Sequence, residues 1–442
     1  MNFFNLEQTQ QEKISLVNGR IHTRTGTAKN ITFEHGRIVS IGDESGGFSG
    51  RVIDLHGRTV LPGFCDSGVD FLSWAESQER LSLSHVHSVK EFKDALAAYF
   101  HANTEPLRGW YIAYNLPDEV VISRDDIEEI VASRPCAVID DKNTHIILNT
   151  PAMNELNMPQ DNVEPDEFIQ HLPALTDDNI KSLVKAYSPK VSALGISEIW
   201  SDFQGSESLW EIFAEEIYDS LNFRLRCNFK FNDVSSQNDF LATGLRTGDG
   251  LPLCKVGGIF IGGEIEQQEQ KNMIYSAHLS GCQIISDNGK SSLNALERVV
   301  KKARKNSRHL VKNFVGGGLV ERMKLLNLGG VAVSDMDASF IHEGFQNGVV
   351  VSAGSGKNLT APLKAIGRFV SDGLSVAEAL NIYTWGAAWN GGNDLRRGEL
   401  AVGNDADMVV LEQDPFMVRP EEISLIDVTT TFTAGCVAYE NN

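Results

Sequence analysis

No stretch of this chain approaches the ~18–20 consecutive apolar residues that a membrane-spanning helix needs, so the sequence reads as soluble, with no membrane partner. The opening Met1-Asn-Phe-Phe-Asn-Leu-Glu-Gln lacks the basic flank and apolar core of a secretory signal. Six cysteines (Cys65, Cys136, Cys227, Cys254, Cys282, Cys436) are scattered without a C-x-x-C pair, which points to buried free thiols in a reducing, cytoplasmic setting. Positive charge is also scarce. Lys and Arg total 39 against 59 Asp and Glu, a net charge of −20, and binding a nucleic-acid backbone requires a basic face. The glycine clusters Gly316-Gly-Gly318 and Gly354-Ser-Gly356 lack the Gly-Lys-Ser/Thr ending of a phosphate loop, although Gly356 and Lys357 could offer backbone N–H groups to an anion. Internal repeats and low-complexity tracts are absent.

What remains is a globular composition, with 42% hydrophobic and 22% charged residues and 39 glycines suited to tight strand–helix turns. Residues 14–60 alternate or run apolar and break at Asn-Gly and His-Gly, the pattern of short strands. Ala406–Glu412 and Val428–Tyr439 match them, so the two β-rich ends are expected to pair into one small domain. Between them, short apolar runs alternate with helical ones, among them Ser88–Phe100, Asp177–Ser188, Gln267–Ser280 and Ser375–Trp389. Several of these open on a Ser or Asp cap, as in Ser375-Val-Ala-Glu378. Strand candidates are 64–69, Cys136–Ile139, Ile196–Trp200, Phe223–Phe229, Gly258–Ile261, Gln283–Ile285, Leu310–Phe314, Val331–Val333 and Val349–Val351. That is about the number an α/β fold of the (β/α)8 TIM-barrel type requires.

Gly57-Arg-Thr-Val-Leu-Pro-Gly-Phe64 and Arg397-Gly-Glu-Leu-Ala-Val-Gly-Asn-Asp-Ala-Asp-Met-Val-Val-Leu411 resemble the entry to and exit from the barrel in the amidohydrolase superfamily. Arg134-Pro135, Asp140-Asp-Lys-Asn-Thr-His-Ile-Ile-Leu-Asn-Thr-Pro-Ala-Met153 and Gln413-Asp-Pro-Phe416 look like the branch containing N-substituted formamide deformylase. The resemblance implies a (β/α)8 barrel over 62–395 and a β-sandwich built from 1–61 plus 396–442. It also implies a homodimer and a metal-bound hydroxide, zinc or similar, attacking a non-peptide C–N bond of a small amide. A bound zinc brings its water to a pKa near ~7, the family's source of nucleophile.

The family's ligand positions, however, fall on other residues. The first-strand histidines fall on Gly68 and Asp70, the lysine on Gly258, the next histidine on or near Ser286, the Glu-His pair on Lys312-Asn313, and the last-strand Asp on Gly356. Lys255, three residues before Gly258, is expected on the opposite strand face. Zinc wants at least three nitrogen, sulfur or carboxylate donors, so the expectation is a pseudoenzyme that has lost metal-dependent hydrolysis and carries no metal cofactor. Its barrel mouth would then bind a small molecule through Lys312, Asn313, Ser286 and Gly356, with Lys312 neutralising Asp70. The alternative is a working hydrolase that uses Asp70, His145 and Asp287. His85 and His87 form an H-x-H that reads better as a polar loop before a Ser88-capped helix, and His278 and His309 read as structural.

Overall fold

The computed structural model describes residues 12–43, 49–157, 165–205, 207–263, 265–286, 289–302, 308–312, 319–328, 331–333 and 338–441. Contacts divide the chain into two units, Met1–Phe71 with Val184–Asn442, and Leu72–Leu183.

In the first unit, both ends of the chain build two small sheets. One runs Arg37–Gly42, Asn30–Glu34, Ile14–Val17, Arg51–Asp54. The other runs Cys436–Glu440, Val428–Thr433, Met408–Leu411, Thr59–Pro62, Arg20–Thr23, Gly26–Ala28. The ends meet where Val60 lies opposite Val410 in an antiparallel pair. Alternate residues from both sheets, including Leu16, Ile31, Phe33, Val60, Met408 and Phe432, form one buried cluster. Two hairpins turn on left-handed pairs, His35–Gly36 (φ 51° and 71°) and Ala434–Gly435 (φ 52° and 77°), as a two-residue type I′ turn demands. A Cβ on Gly36 would lie 2.7 Å from the Ala434 carbonyl oxygen, so the second turn packs on the space that glycine leaves.

The same unit carries a parallel sheet. In chain order its strands are β1 (Phe64–Asp66), β2 (Ile196–Gln204), β3 (Arg224–Lys230), β4 (Cys254–Ile261), β5 (Gln283–Ser286), β6 (Leu310–Val311), β7 (Val331–Val333) and β8 (Val351–Ala353), each paired with the next. Near-continuous burial along β2 to β5 suits strands covered on both faces. Helices such as Gln267–Ser280, stopped by Gly281 at φ 87°, and Ala338–Gln346 connect successive strands. Past their carboxyl ends, β1 and β8 are tied together: Ser67 N–H donates to Ala353 O (2.9 Å), Gly356 N–H to Gly68 O (2.8 Å) and Asp70 N–H to Gly356 O (2.9 Å). The result is a mixed α/β fold. The entry turn depends on Gly63, where a Cβ would come within 2.3 Å of Ser197 Oγ.

The second unit has its own sheet, ordered Ile146–Leu148, Cys136–Asp140, Tyr111–Leu116, Leu81–Ser82. Helix Val89–Ala102 opens on Ser88, whose hydroxyl accepts from Glu91 N–H, and buries Phe92 and Leu96 against this sheet's apolar face. Cys136–Ile139, expected among the barrel strands, belongs here instead. A short apolar run states that a strand is buried but not in which sheet.

Candidate functional site

Period-2 alternation along β2 sends Glu198, Trp200 and Asp202 to one face. Trp200 Nε1 donates to Glu198 Oε1 (2.8 Å), the Arg226 guanidinium stacks over the Trp200 ring at 4.9 Å, and Asn228 Nδ2 donates to Asp202 Oδ1 (2.9 Å). The middle layer is apolar: Cys65, Trp200, Phe260, Ile285 and Leu310 pack together with Ala387. Polar groups gather at either end of it.

At the carboxyl end, the Lys312 ammonium bonds Asp202 Oδ2 and lies 5.0 Å from the centre of the Phe260 ring. The Lys312 side chain is only 12% exposed, against 28% for Asp202. The backbone N–H of Lys312 donates to Ser286 O (2.6 Å), which fixes where its side chain starts. A Cβ on Gly68 would stand 3.7 Å from Lys312 Nζ, so this ammonium occupies the space in front of the first strand's end. Beside it, buried Asp66 accepts from Gly68 N–H (3.1 Å), Ser355 N–H (3.1 Å) and the Ser355 hydroxyl. Burial raises the Asp66 carboxyl above its usual range, against the lowering pull of these donors and of Lys312.

The expected site residues separate. Lys312 is here, but its bonded carboxylate is Asp202 where Asp70 was expected. Asp70 is half-buried beside Gly356, and the Gly356 N–H expected to meet an anion is engaged by the Gly68 carbonyl. Ser286 closes β5 with a buried hydroxyl that has no hydrogen-bond partner among the described residues. Asp287 and Asn313 lie outside the described residues. His145 belongs to the second unit, where it is exposed and its N–H donates to Asp140 Oδ1 (3.0 Å). Lys255 does not face away as its odd offset from Gly258 suggested. A register irregularity in the β3–β4 pairing resets the alternation, and Lys255 lines a cavity together with Arg226.

Sequence reasoning misses Asp202 and Asn228. The strand read from 196 stops at Trp200, although the alternation continues through Asp202 and could have been followed.

Three comparisons bear on this geometry. Residues 357–439 match the model of the amidohydrolase family. "Putative amidohydrolase YtcJ" of Bacillus subtilis (strain 168) is 38% identical over 72 residues, 16% of this chain and 14% of that protein's length. Among solved structures, an uncharacterized metal-dependent hydrolase from Pyrococcus horikoshii OT3 superposes with a TM-score of 0.74 at 15% identity, covering 92% of this chain and 99% of its own. One from Pyrococcus furiosus gives 0.75 at 16% identity over 91% and 100%. A mutant of the atrazine chlorohydrolase TrzN from Arthrobacter aurescens TC1, complexed with zinc and atraton, gives 0.60 at 14% identity over 97% and 95%. The fold is therefore the one these solved structures share, and the sequence match to the amidohydrolase family is confined to residues 357–439.

These comparisons correct the expectation of a chain without a metal cofactor. Proteins of this fold include metal-dependent hydrolases, one has zinc bound, and this chain has a donor set of its own. The carboxylates of Asp118, Asp140 and Asp141 lie within 4.8 Å of one another. Oxygen-only donors suit a hard cation such as Ca2+ or Mn2+ better than zinc. Lys142 bonds Asp118, and Thr144 and His145 donate to Asp140, so a cation would compete with those partners. At the carboxyl end of the parallel sheet, no three metal-binding side chains converge among the described residues, and the Lys312 ammonium stands in front of the first strand's end.

Proposed function

We propose that this chain is an amidohydrolase-type protein that takes a small carbonyl compound, an amide or its carboxylate product, at the carboxyl end of the parallel sheet. The supporting observation is the nearly buried Lys312 ammonium, 3.7 Å from where a Gly68 Cβ would lie. A cation in that place attracts a carbonyl or carboxylate oxygen, and Asp202 and Asn228 beside it supply an acceptor and a donor for an amide. Thermal shift and calorimetry with a panel of small amides, ureas and carboxylates test this. Binding by the wild-type chain that falls at least tenfold in Lys312→Met supports it; equal binding by both overturns it.

A second reading, a working hydrolase of non-peptide C–N bonds, is favoured by the metal-dependent hydrolases that share the fold. Metal analysis of the purified protein, with amide hydrolysis assayed before and after chelation, tests it. A bound metal with chelator-sensitive turnover favours this reading over simple ligand binding, and absence of turnover under all conditions removes it. The homodimer belongs to the same proposal, with light scattering as its check.

A further inference from the structure

At the amino end of the parallel sheet, opposite the site proposed above, lies a cavity of about 250 Å³ lined by Glu198, Arg224, Arg226, Lys255, Arg397 and neighbouring backbone. Four of these side chains are cationic and one is anionic. Two of the cations are balanced. Arg224 forks onto Asp407 (2.8 and 3.1 Å), and Arg397 bonds Glu198 (2.8 Å) and Asp405 (3.1 Å). The other two are not. Arg226, only 4% exposed, donates to the Gly391 and Gly257 carbonyls and to Gln283 Oε1, all neutral, and its Nε has no hydrogen-bond partner among the described residues. Lys255 donates to the Gly250 carbonyl, and neither cation forms an ion pair among the described residues.

Leaving two positive charges in a shared, partly dry cavity is costly without a counter-charge. Burial lowers the affinity of both Arg226 and Lys255 for their protons; Glu198 opposes this at Arg226 and Arg397 adds to it, while at Lys255 Arg397 and Arg224 add to it and Asp249 opposes it. The carboxylates nearby offset this only in part, so two cations without a bonded carboxylate favour an anion that can carry two charges. Guanidinium and ammonium donors converging from β3 and β4 match an oxyanion with several acceptor oxygens.

We propose that this cavity is a binding site for a small dianionic phosphate group, either free phosphate or the phosphate of a small monoester. The site is separate from the carboxyl-end site and does not depend on the function assigned there.

Calorimetry of the full chain against inorganic phosphate and against glycerol phosphate, at matched ionic strength in chloride, tests the proposal. Binding of either is expected, and the tighter of the two identifies the source of the group. Lys255→Met, at a half-buried position whose loss the fold tolerates better than loss of Arg226, is expected to weaken binding at least tenfold. Lys255→Arg is expected to restore most of it, and Lys312→Met to leave it unchanged. Failure of both probes to bind the wild-type chain overturns the proposal, as does equal binding by Lys255→Met.

Discussion

Gly68 and Gly354 touch backbone to backbone: a Cβ on Gly354 would lie 2.5 Å from both Cα and N of Gly68. A Cβ on Gly68 itself meets nothing closer than 3.7 Å. Two glycines in contact therefore have opposite tolerances. Gly354→Ala forces the ends of β1 and β8 apart and is expected to cost about 3 kcal/mol, the upper range for overpacking. Gly68→Ala is expected to fall within about 1 kcal/mol of the wild type. Urea unfolding of both variants checks the contrast, and equal losses would show that this contact does not hold the strands together.

The Lys312–Asp202 pair is expected to couple. Lys312→Met leaves a partly exposed carboxylate that Asn228 still supports, for a loss of about 1–2 kcal/mol. Adding Asp202→Asn to Lys312→Met should cost less than the sum of the single losses, because the stranded charge is removed. Strict additivity in a double-mutant cycle would mean that the two side chains do not interact.

Buried His309 gives stability a dependence on acid. Its Nδ1 accepts from Ile284 N–H (3.0 Å) and its Nε2 lies 2.9 Å from His278 Nδ1. Burial, helped by His278, lowers its pKa from 6.5 to about 3. The unfolded chain thus takes up a proton below 6.5 that the folded chain refuses until about 3. Stability contributed by neutral His309 is present above that window and is lost as pH falls through it, by about 1.4 kcal/mol per unit. His309→Gln should flatten this part of the profile; an unchanged slope in denaturant melts across the window would refute the assignment.

Asp66 works in the other direction. Its folded-state pKa is raised above 3.8 by burial, so between that value and the raised one the folded chain holds a proton that the unfolded chain has released. Stability from this group is therefore full below 3.8 and declines as pH rises through the window. In the difference between wild type and Asp66→Asn, that decline should appear with its negative sign. A difference that rises with pH would place the carboxyl in the depressed class.

Much of the architecture was legible because local signals were strong. His35–Gly36 marks a hairpin, Ser88 caps a helix through Glu91 N–H, and Ser375 with Glu378 forms a full capping box. The apolar runs that form β2 to β5 are equally plain. Assignment to a sheet was not legible, and so Cys136–Ile139 reads as one of a set of strands it never joins. The site was only half legible. Lys312 stands out as a lysine in place of an acid, but its partner lies 110 residues away on another strand, and only the paired register of β2 and β3 brings Asp202 and Asn228 together. The β3–β4 irregularity, which turns Lys255 toward Arg226, leaves no mark on the periodicity.

The pairing of Val60 with Val410 also sets an order of events during synthesis. The strand at Thr59–Pro62 leaves the ribosome long before Met408–Leu411, which fills one of its hydrogen-bonding edges, and the Arg224 guanidinium waits for Asp407 in the same way. Roughly 350 residues must emerge before that edge closes, so the nascent chain carries an open strand throughout that interval, at about 5–20 residues per second. Truncation just before residue 408 would preserve every strand of the parallel sheet and still yield a chain prone to aggregate, through the edge its missing end was meant to cover.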